Sequence, residues 1–180
     1  MSAFICHFFS AAIVLATPLQ EPSEEALPKW LRDHMDFMTR DGGRWIADNS
    51  KYRSEQEPID AYGTEWSWGI GRASMTGRLF GLKEGREVAT FWEFRLMWHP
   101  GKKRAFLYQF GGDGRLGEGS MTSIEGGTEH EQTFYMTDGS TLRARHRSLE
   151  NGDENRTESF EWQDGEWAPR RSYVWRRERG

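Results

Sequence analysis

Histidine is the side chain whose ordinary pKa lies near neutrality, and this 180-residue chain has five, His7, His34, His99, His130 and His146. None stands in H-x-x-x-H or H-E-x-x-H spacing with another, so a helical zinc motif is absent and no metal site is expected. Placed on strands, His130 and His146 occupy neighbouring arms around Gly139 and share an inward face, where a hydrogen-bonded histidine is the plain expectation and a shared metal or haem the sharper one. Glu158 is the carboxylate that strand spacing can bring near His146. In a dry cavity such a pair shifts both pKa values, which makes His146 a candidate general base, with Glu158 as partner, for a barrel isomerase or hydrolase. No residue is otherwise marked as catalytic.

Two further strings invite chemistry and fail on context. Gly112-Asp113-Gly114-Arg115-Leu116-Gly117 matches G-x-G-x-x-G, but Glu118-Gly119-Ser120-Met121-Thr122 after it reads as a strand and not as the helix that would hold a pyrophosphate. A glycine-rich hairpin accounts for it. No G-x-S-x-G elbow occurs, so an α/β-hydrolase nucleophile is excluded. Arg143, Arg145 and Arg147 form a basic stripe, yet Glu129, Glu131 and Glu161 on adjacent segments supply cross-strand partners. With 24 Lys+Arg against 28 Asp+Glu and the signs mixed, nucleic acid is not an expected partner.

The elements that must position these residues follow from composition and rhythm. The chain is 36% hydrophobic and 29% charged, with 9 Trp and 11 Phe, so its core area must come from aromatic side chains. Phe8 to Ala16 is a short apolar run before Thr17-Pro18, which reads as a secretory signal peptide over residues 1–16. An uncleaved anchor is the alternative reading of this run. Cleavage after Ala16 would remove Cys6, the single cysteine, and no later stretch is long enough to span a membrane. Secretion or a periplasmic location is expected. No pattern assigns an oligomeric state.

Residues 17–42 read as a linker and one amphipathic helix, with Leu27, Trp30, Leu31, His34, Met35 and Met38 at helical spacing and Gly42-Gly43 as the stop. Residues 43–180 read as all-β. From Gly101 the turn glycines Gly114, Gly126, Gly139, Gly152 and Gly165 follow at steps of 13, 12, 13, 13 and 13 residues. Asp-Gly and Asn-Gly pairs at several of these turns favour tight hairpins. So many consecutive strands cannot be covered by one helix and must close on themselves. The expected fold is an up-and-down antiparallel barrel of about 8–10 strands with the helix as a plug or lid.

Alternation along the strands places Trp66, Trp68 and Ile70 on one inward face, and Thr90, Trp92, Phe94, Leu96 and Trp98 on another. By the same rule Phe134 and Met136 align with His130 and Gln132, Leu142, Ala144, His146 and Ser148 oppose three arginines, and Phe160 and Trp162 oppose Ser159 and Glu161. The expected ligand site is therefore Trp66, Trp68, Trp92, Phe94, Trp98, Gln132, Phe134, His146 and Trp162 around a lumen that takes a small apolar molecule. Solid filling of the lumen by these rings is the competing expectation.

Gly42-Gly43-Arg44-Trp45, Trp66-x-Trp68, Met75-Thr76-Gly77, Trp98-His99-Pro100-Gly101 and Asp164-Gly165-x-Trp167 before a Tyr-containing last strand resemble the small lipocalin-like bacterial proteins of unknown function. The resemblance spans roughly residues 42 to 177. It implies a calycin-type barrel with an interior cavity and no established activity. A related group of barrels, the nitrobindins, holds haem through a histidine on a late strand, and His146 is the nearest candidate for that role. The residues themselves require no cofactor, and haem is the alternative raised both by the His130 and His146 pair and by this resemblance.

Overall fold

The computed structural model describes residues 27–179, so the leader expected over residues 1–16 lies outside the described residues. One helix, α1 (Lys29–Thr39), precedes ten strands: β1 (Arg44–Asp48), β2 (Ala61–Trp68), β3 (Ser74–Lys83), β4 (Arg86–His99), β5 (Arg104–Gly111), β6 (Leu116–Ile124), β7 (Gly127–Tyr135), β8 (Thr141–Asn151), β9 (Glu154–Gln163) and β10 (Glu166–Arg177). Each strand pairs antiparallel with its sequence neighbour, and β1 pairs with β10 to close the barrel. The fold is thus the closed all-β barrel that the turn rhythm predicts, with ten strands.

Closure removes both sheet edges, but the seam is short. Trp45, Ile46 and Ala47 of β1 lie opposite Arg177, Arg176 and Trp175 of β10. Beyond that pairing, residues 49–60 leave the sheet and lie across the upper part of β10. Tyr173 Oη donates to Asn49 Oδ1 (2.9 Å), the Ser172 N–H donates to Tyr52 Oη (2.9 Å), and Arg171 grips Glu57 with two bonds of 2.6 Å. β1 is therefore only five residues long, and side-chain bonds replace the ladder beyond it.

The helix closes one end of the barrel. Its buried side chains are Leu31, His34, Met35 and Met38, a face that mixes a histidine with apolar residues. The helix docks through its last turn. The Trp45 indole N–H donates to the Met38 carbonyl (2.9 Å), and Arg177 donates to the Arg40 and Phe37 carbonyls (2.8 and 3.0 Å). The Arg177 side chain is 0% exposed and its guanidinium lies 4.0 Å over the Trp45 ring, so one residue joins the seam strand to the plug.

Several faces differ from simple alternation, each for a visible reason. Ile70 leaves β2 for a 3-10 turn (Ile70–Arg72) and is 93% exposed. In β4 the register shifts between Leu79 and Phe80 of β3, so Thr90 turns outward and Phe91 joins Trp92 on the lumen side. In β9 Asn155, Thr157, Ser159 and Glu161 alternate inward, Phe160 also borders the lumen beside the bulge of β10, and Glu158 and Trp162 stand outside. A two-residue turn pairs Asn151 with Glu154, so even-numbered inward residues of β8 face odd-numbered ones of β9.

Arg177→Met keeps the bulk of this side chain and removes its hydrogen bonds to the helix. Because bonds from a charged donor contribute about 1.5–3 kcal/mol each, urea unfolding should show a loss of at least about 2 kcal/mol. An unchanged midpoint would show that the plug is held by apolar packing alone.

Candidate functional site

The barrel encloses a cavity of about 810 Å³, running from α1 toward the turns at the other end. Its floor is set by His34 and Met38 of the helix, and its walls include Trp66, Phe94, Leu107, Ala144 and Trp175. The space persists because small residues stand at inward positions where aromatics face them. On β6, a Cβ at Gly117 would lie 2.6 Å from the Phe134 ring, and one at Gly119 would lie 1.8 Å from the Glu131 carbonyl. On β5, Ala105, Leu107 and Gln109 point inward while Phe106, Tyr108 and Phe110 take the outer face. The larger side chains of that strand are outside, and the lumen stays hollow.

Of the sequence-predicted lining residues, Trp66, Trp92, Phe94, Phe134 and His146 border the cavity. Trp66 stacks on Phe94 with ring centroids 5.0 Å apart, and Trp92 meets Phe134 edge-on at 5.5 Å. Trp68 and Trp98 instead pack against the buried core around the helix. Gln132 is buried in the wall, where it accepts a 2.9 Å bond from Gln109 and braces β7 against β5 across the glycines of β6. Trp162 is a correction. It is 38% exposed on the outer surface, edge-on to Trp167 at 5.1 Å, with the Arg143 guanidinium 4.9 Å over its ring. Glu158 is the second correction: it is exposed on the outward face of β9, so it is not the carboxylate partner of His146.

His146 has a different companion. Its ring stacks on that of His130 with centroids 4.7 Å apart and planes 12° from parallel. Neither nitrogen of His130 has a hydrogen-bond partner, nor has Nε2 of His146 or Nε1 of Trp66. Burial lowers the His146 pKa to about 4. It pushes that of His130 well below the ordinary imidazole value, helped by electrostatic repulsion from His146 and His34 and opposed only by the nearby Gln132 carboxamide. Both rings are therefore neutral at pH 7, each with one donor and one acceptor nitrogen. These nitrogens border the cavity, so they are the groups that a polar contact from within it would satisfy. Among the described residues no group of three or more His, Cys, Asp or Glu is placed to hold a metal ion.

The mouth has the opposite character. The extra residues at two of the register shifts, at Phe91 in β4 and between Pro169 and Ser172 of β10, put the consecutive pairs Phe91 and Trp92, and Arg170 and Arg171, on the lumen side. Arg170 lies 2.6 Å from Glu161, and Arg171 pairs with Glu57, which also accepts from Tyr62 (2.7 Å). The Arg171 hydrogen bonds hold the Glu57 carboxyl down at about 2. Burial, then the Glu57 contact, pushes the Tyr62 phenol upward. Sequence reasoning missed Glu57, Tyr62, Arg171 and Tyr173, since no periodicity marks residues 49–60. The Arg170-Arg171 pair in a strand was the available signal of a bulge.

These shifts make two predictions. His146 binds a proton in the unfolded chain near 6.5 and in the barrel only near 4, so stability is full above pH 6.5 and falls as pH drops through that window. The His146 share of this loss should be of order 3 kcal/mol, and because buried His130 adds its own in the same direction, His146→Phe should reduce but not abolish the Tm difference between pH 7 and pH 4.5. Equal slopes in both proteins would contradict it. Glu57, with its pKa depressed, adds a second loss at lower pH, between about 4.5 and 2. Glu57→Gln should remove that lower phase and speed hydrogen exchange within residues 49–60, whereas unaltered exchange would show that the segment is held without the Arg171 pair. No known family model, curated protein or solved structure matches the chain, so its functional reading rests on this geometry.

Proposed function

We propose that the chain is a lipocalin-like, calycin-type binding protein that carries a largely apolar small molecule in the barrel lumen, and that it works outside the cytoplasm. The supporting observation is the cavity itself, about 810 Å³ within a closed barrel and bordered chiefly by aromatic and aliphatic side chains. That volume falls in the range of about 300–1,000 Å³ usual for small-molecule sites. The apolar run at Phe8 to Ala16 supports export. No helix among the described residues is long and apolar enough to cross a membrane.

An enzymatic reading with His146 as general base is weaker, because the carboxylate proposed to orient it stands outside the barrel and the imidazole stacks on a second neutral ring. The unpartnered His130 and His146 nitrogens favour haem as a second reading. A Soret band that sharpens and shifts on adding hemin, and is lost in His146→Ala, would select it.

Nile red is a neutral dye that fluoresces in apolar surroundings, and it should titrate to saturation at one site per chain. Ala144 borders the lumen at mid-strand, so Ala144→Trp should fill the space and weaken Nile red binding by more than tenfold while the far-UV spectrum is retained. Leu142→Trp, placed nearer the mouth, repeats the test if the first variant is unstable. Undiminished binding in a folded Ala144→Trp protein would move the dye, and the function, away from the lumen.

A further inference from the structure

The charges around the cavity restrict what can enter it, an inference that rests on the binding reading above. Five lining side chains carry or can carry positive charge besides the stacked imidazoles, and each has an acidic partner. Arg171 lies 2.6 Å from Glu57, Arg170 2.6 Å from Glu161, Arg147 3.0 Å from Glu129, Arg115 2.8 Å from Asp113 and His34 2.6 Å from Glu150. The two lining carboxylates, Glu57 and Glu161, are the same ones that neutralise Arg171 and Arg170. A ligand carboxylate or sulfonate thus finds no unneutralised cation on the lining, and a ligand ammonium finds no unneutralised carboxylate. Bringing an ion into such a place costs its hydration without return, several kcal/mol in real proteins.

The lumen is nevertheless not chemically blank. Trp66 and Phe94 form one flat stacked wall, with planes 16° apart, and His130 and His146 form another at 12°. Four unsatisfied nitrogens belong to these walls, an indole N–H that only donates and imidazoles that present both donors and acceptors, while Arg115 Nε lacks hydrogen-bond geometry but is ion-paired with Asp113. Flat rings pack against flat rings, and the remaining polar atoms call for a hydrogen-bonding edge on the guest.

We propose that the ligand is an uncharged, flat aromatic or heteroaromatic molecule bearing a carbonyl, hydroxyl or amide edge, held against the Trp66 and Phe94 rings with that edge hydrogen-bonded to Trp66, His130 or His146. A fatty-acid anion and an anionic dye are outside this class. Small reorientations of the rings give the edge its hydrogen bonds, and no covalent step is involved.

Two probes share one aromatic frame and differ by a single charge: N-phenyl-1-naphthylamine and 1-anilinonaphthalene-8-sulfonate. Calorimetric titration of the full chain at pH 7 should give saturable binding of the neutral compound, with the sulfonate at least about tenfold weaker, a difference of 1.4 kcal/mol or more. Palmitate should not displace the neutral probe at equal concentration. Equal or tighter binding of the sulfonate, or ready displacement by palmitate, would overturn the neutral class while leaving a lumen binder standing. Failure of N-phenyl-1-naphthylamine, Nile red and the sulfonate alike to bind would remove the binding reading, and this inference with it. Trp66→Phe keeps a ring beside Phe94 and deletes the N–H together with part of the indole surface, a packing loss that both dyes share. It should weaken Nile red, which has a carbonyl acceptor, about three- to tenfold more than it weakens N-phenyl-1-naphthylamine. Equal effects on both would overturn the hydrogen-bonding edge.

Discussion

Closure at the seam between β1 and β10 is the constraint on which the molecule depends. A sheet of ten strands with one short helix has no second layer to cover its inner face, so that face is buried only if the first and last strands meet. Here they meet over three opposed residue pairs. The remainder is supplied by side chains: Arg177 ties the seam to the helix under Trp45, Arg44 bonds to Glu178 and Glu65 across the same edge, and residues 49–60 are fastened to β10 by Glu57, Tyr52 and Asn49. A chain that closes in this way gains a lumen. Whether that lumen is solid or hollow is decided by which side of each strand carries the larger residue.

Its hollowness comes from small residues at inward positions. Ala105 and Gly111 on β5, Gly117 and Gly119 on β6, and Ala144 and Ser148 on β8 give one side of the barrel little inward bulk, while Trp66, Trp92, Phe94 and Phe134 project from around them. The outer surface carries aromatics in exchange, and cations cover several. Phe80 is fully buried on the outer wall between the Arg44 and Arg78 guanidiniums, 4.7 and 4.5 Å from its ring centre. Arg145 lies 4.3 Å over Trp167 in the same manner. Such cation–π cover lets a large ring sit outside without exposing all of its apolar surface.

This exchange also explains how much was legible in the sequence. The turn glycines gave the hairpins because a tight antiparallel turn needs residues that tolerate positive φ, and Gly126, Gly139, Gly152 and Gly165 all adopt it. Faces were correct where aromatic residues do point inward, as at Trp66, Trp92, Phe94 and Phe134, and where small residues oppose arginines, as at Ala144 and His146. They failed at Trp162, whose outward position is tolerated because Arg143 covers it. Hairpin arithmetic held the missing signal: a two-residue turn at Gly152-Asp153 sets inward Ser148 opposite Thr157, which fixes Trp162 outside regardless of its hydrophobicity. The histidine stack was half legible. Parity brought His130 and His146 to one face, and their five-residue connection made them direct cross-strand neighbours, but their lack of hydrogen-bond partners depends on three-dimensional packing.

The central claim is that guests lodge among the inward rings of a hollow barrel, and the nine tryptophans report on it from both sides of the wall. The most direct measurement is the set of indole N–H signals in a nitrogen-15 correlation spectrum, assigned by single Trp→Phe variants and followed while Nile red is added. The account predicts large, saturable shifts for Trp66 and Trp92, with Trp162 and Trp167 unmoved. Shifts at Trp162 and Trp167 with Trp66 silent would contradict it.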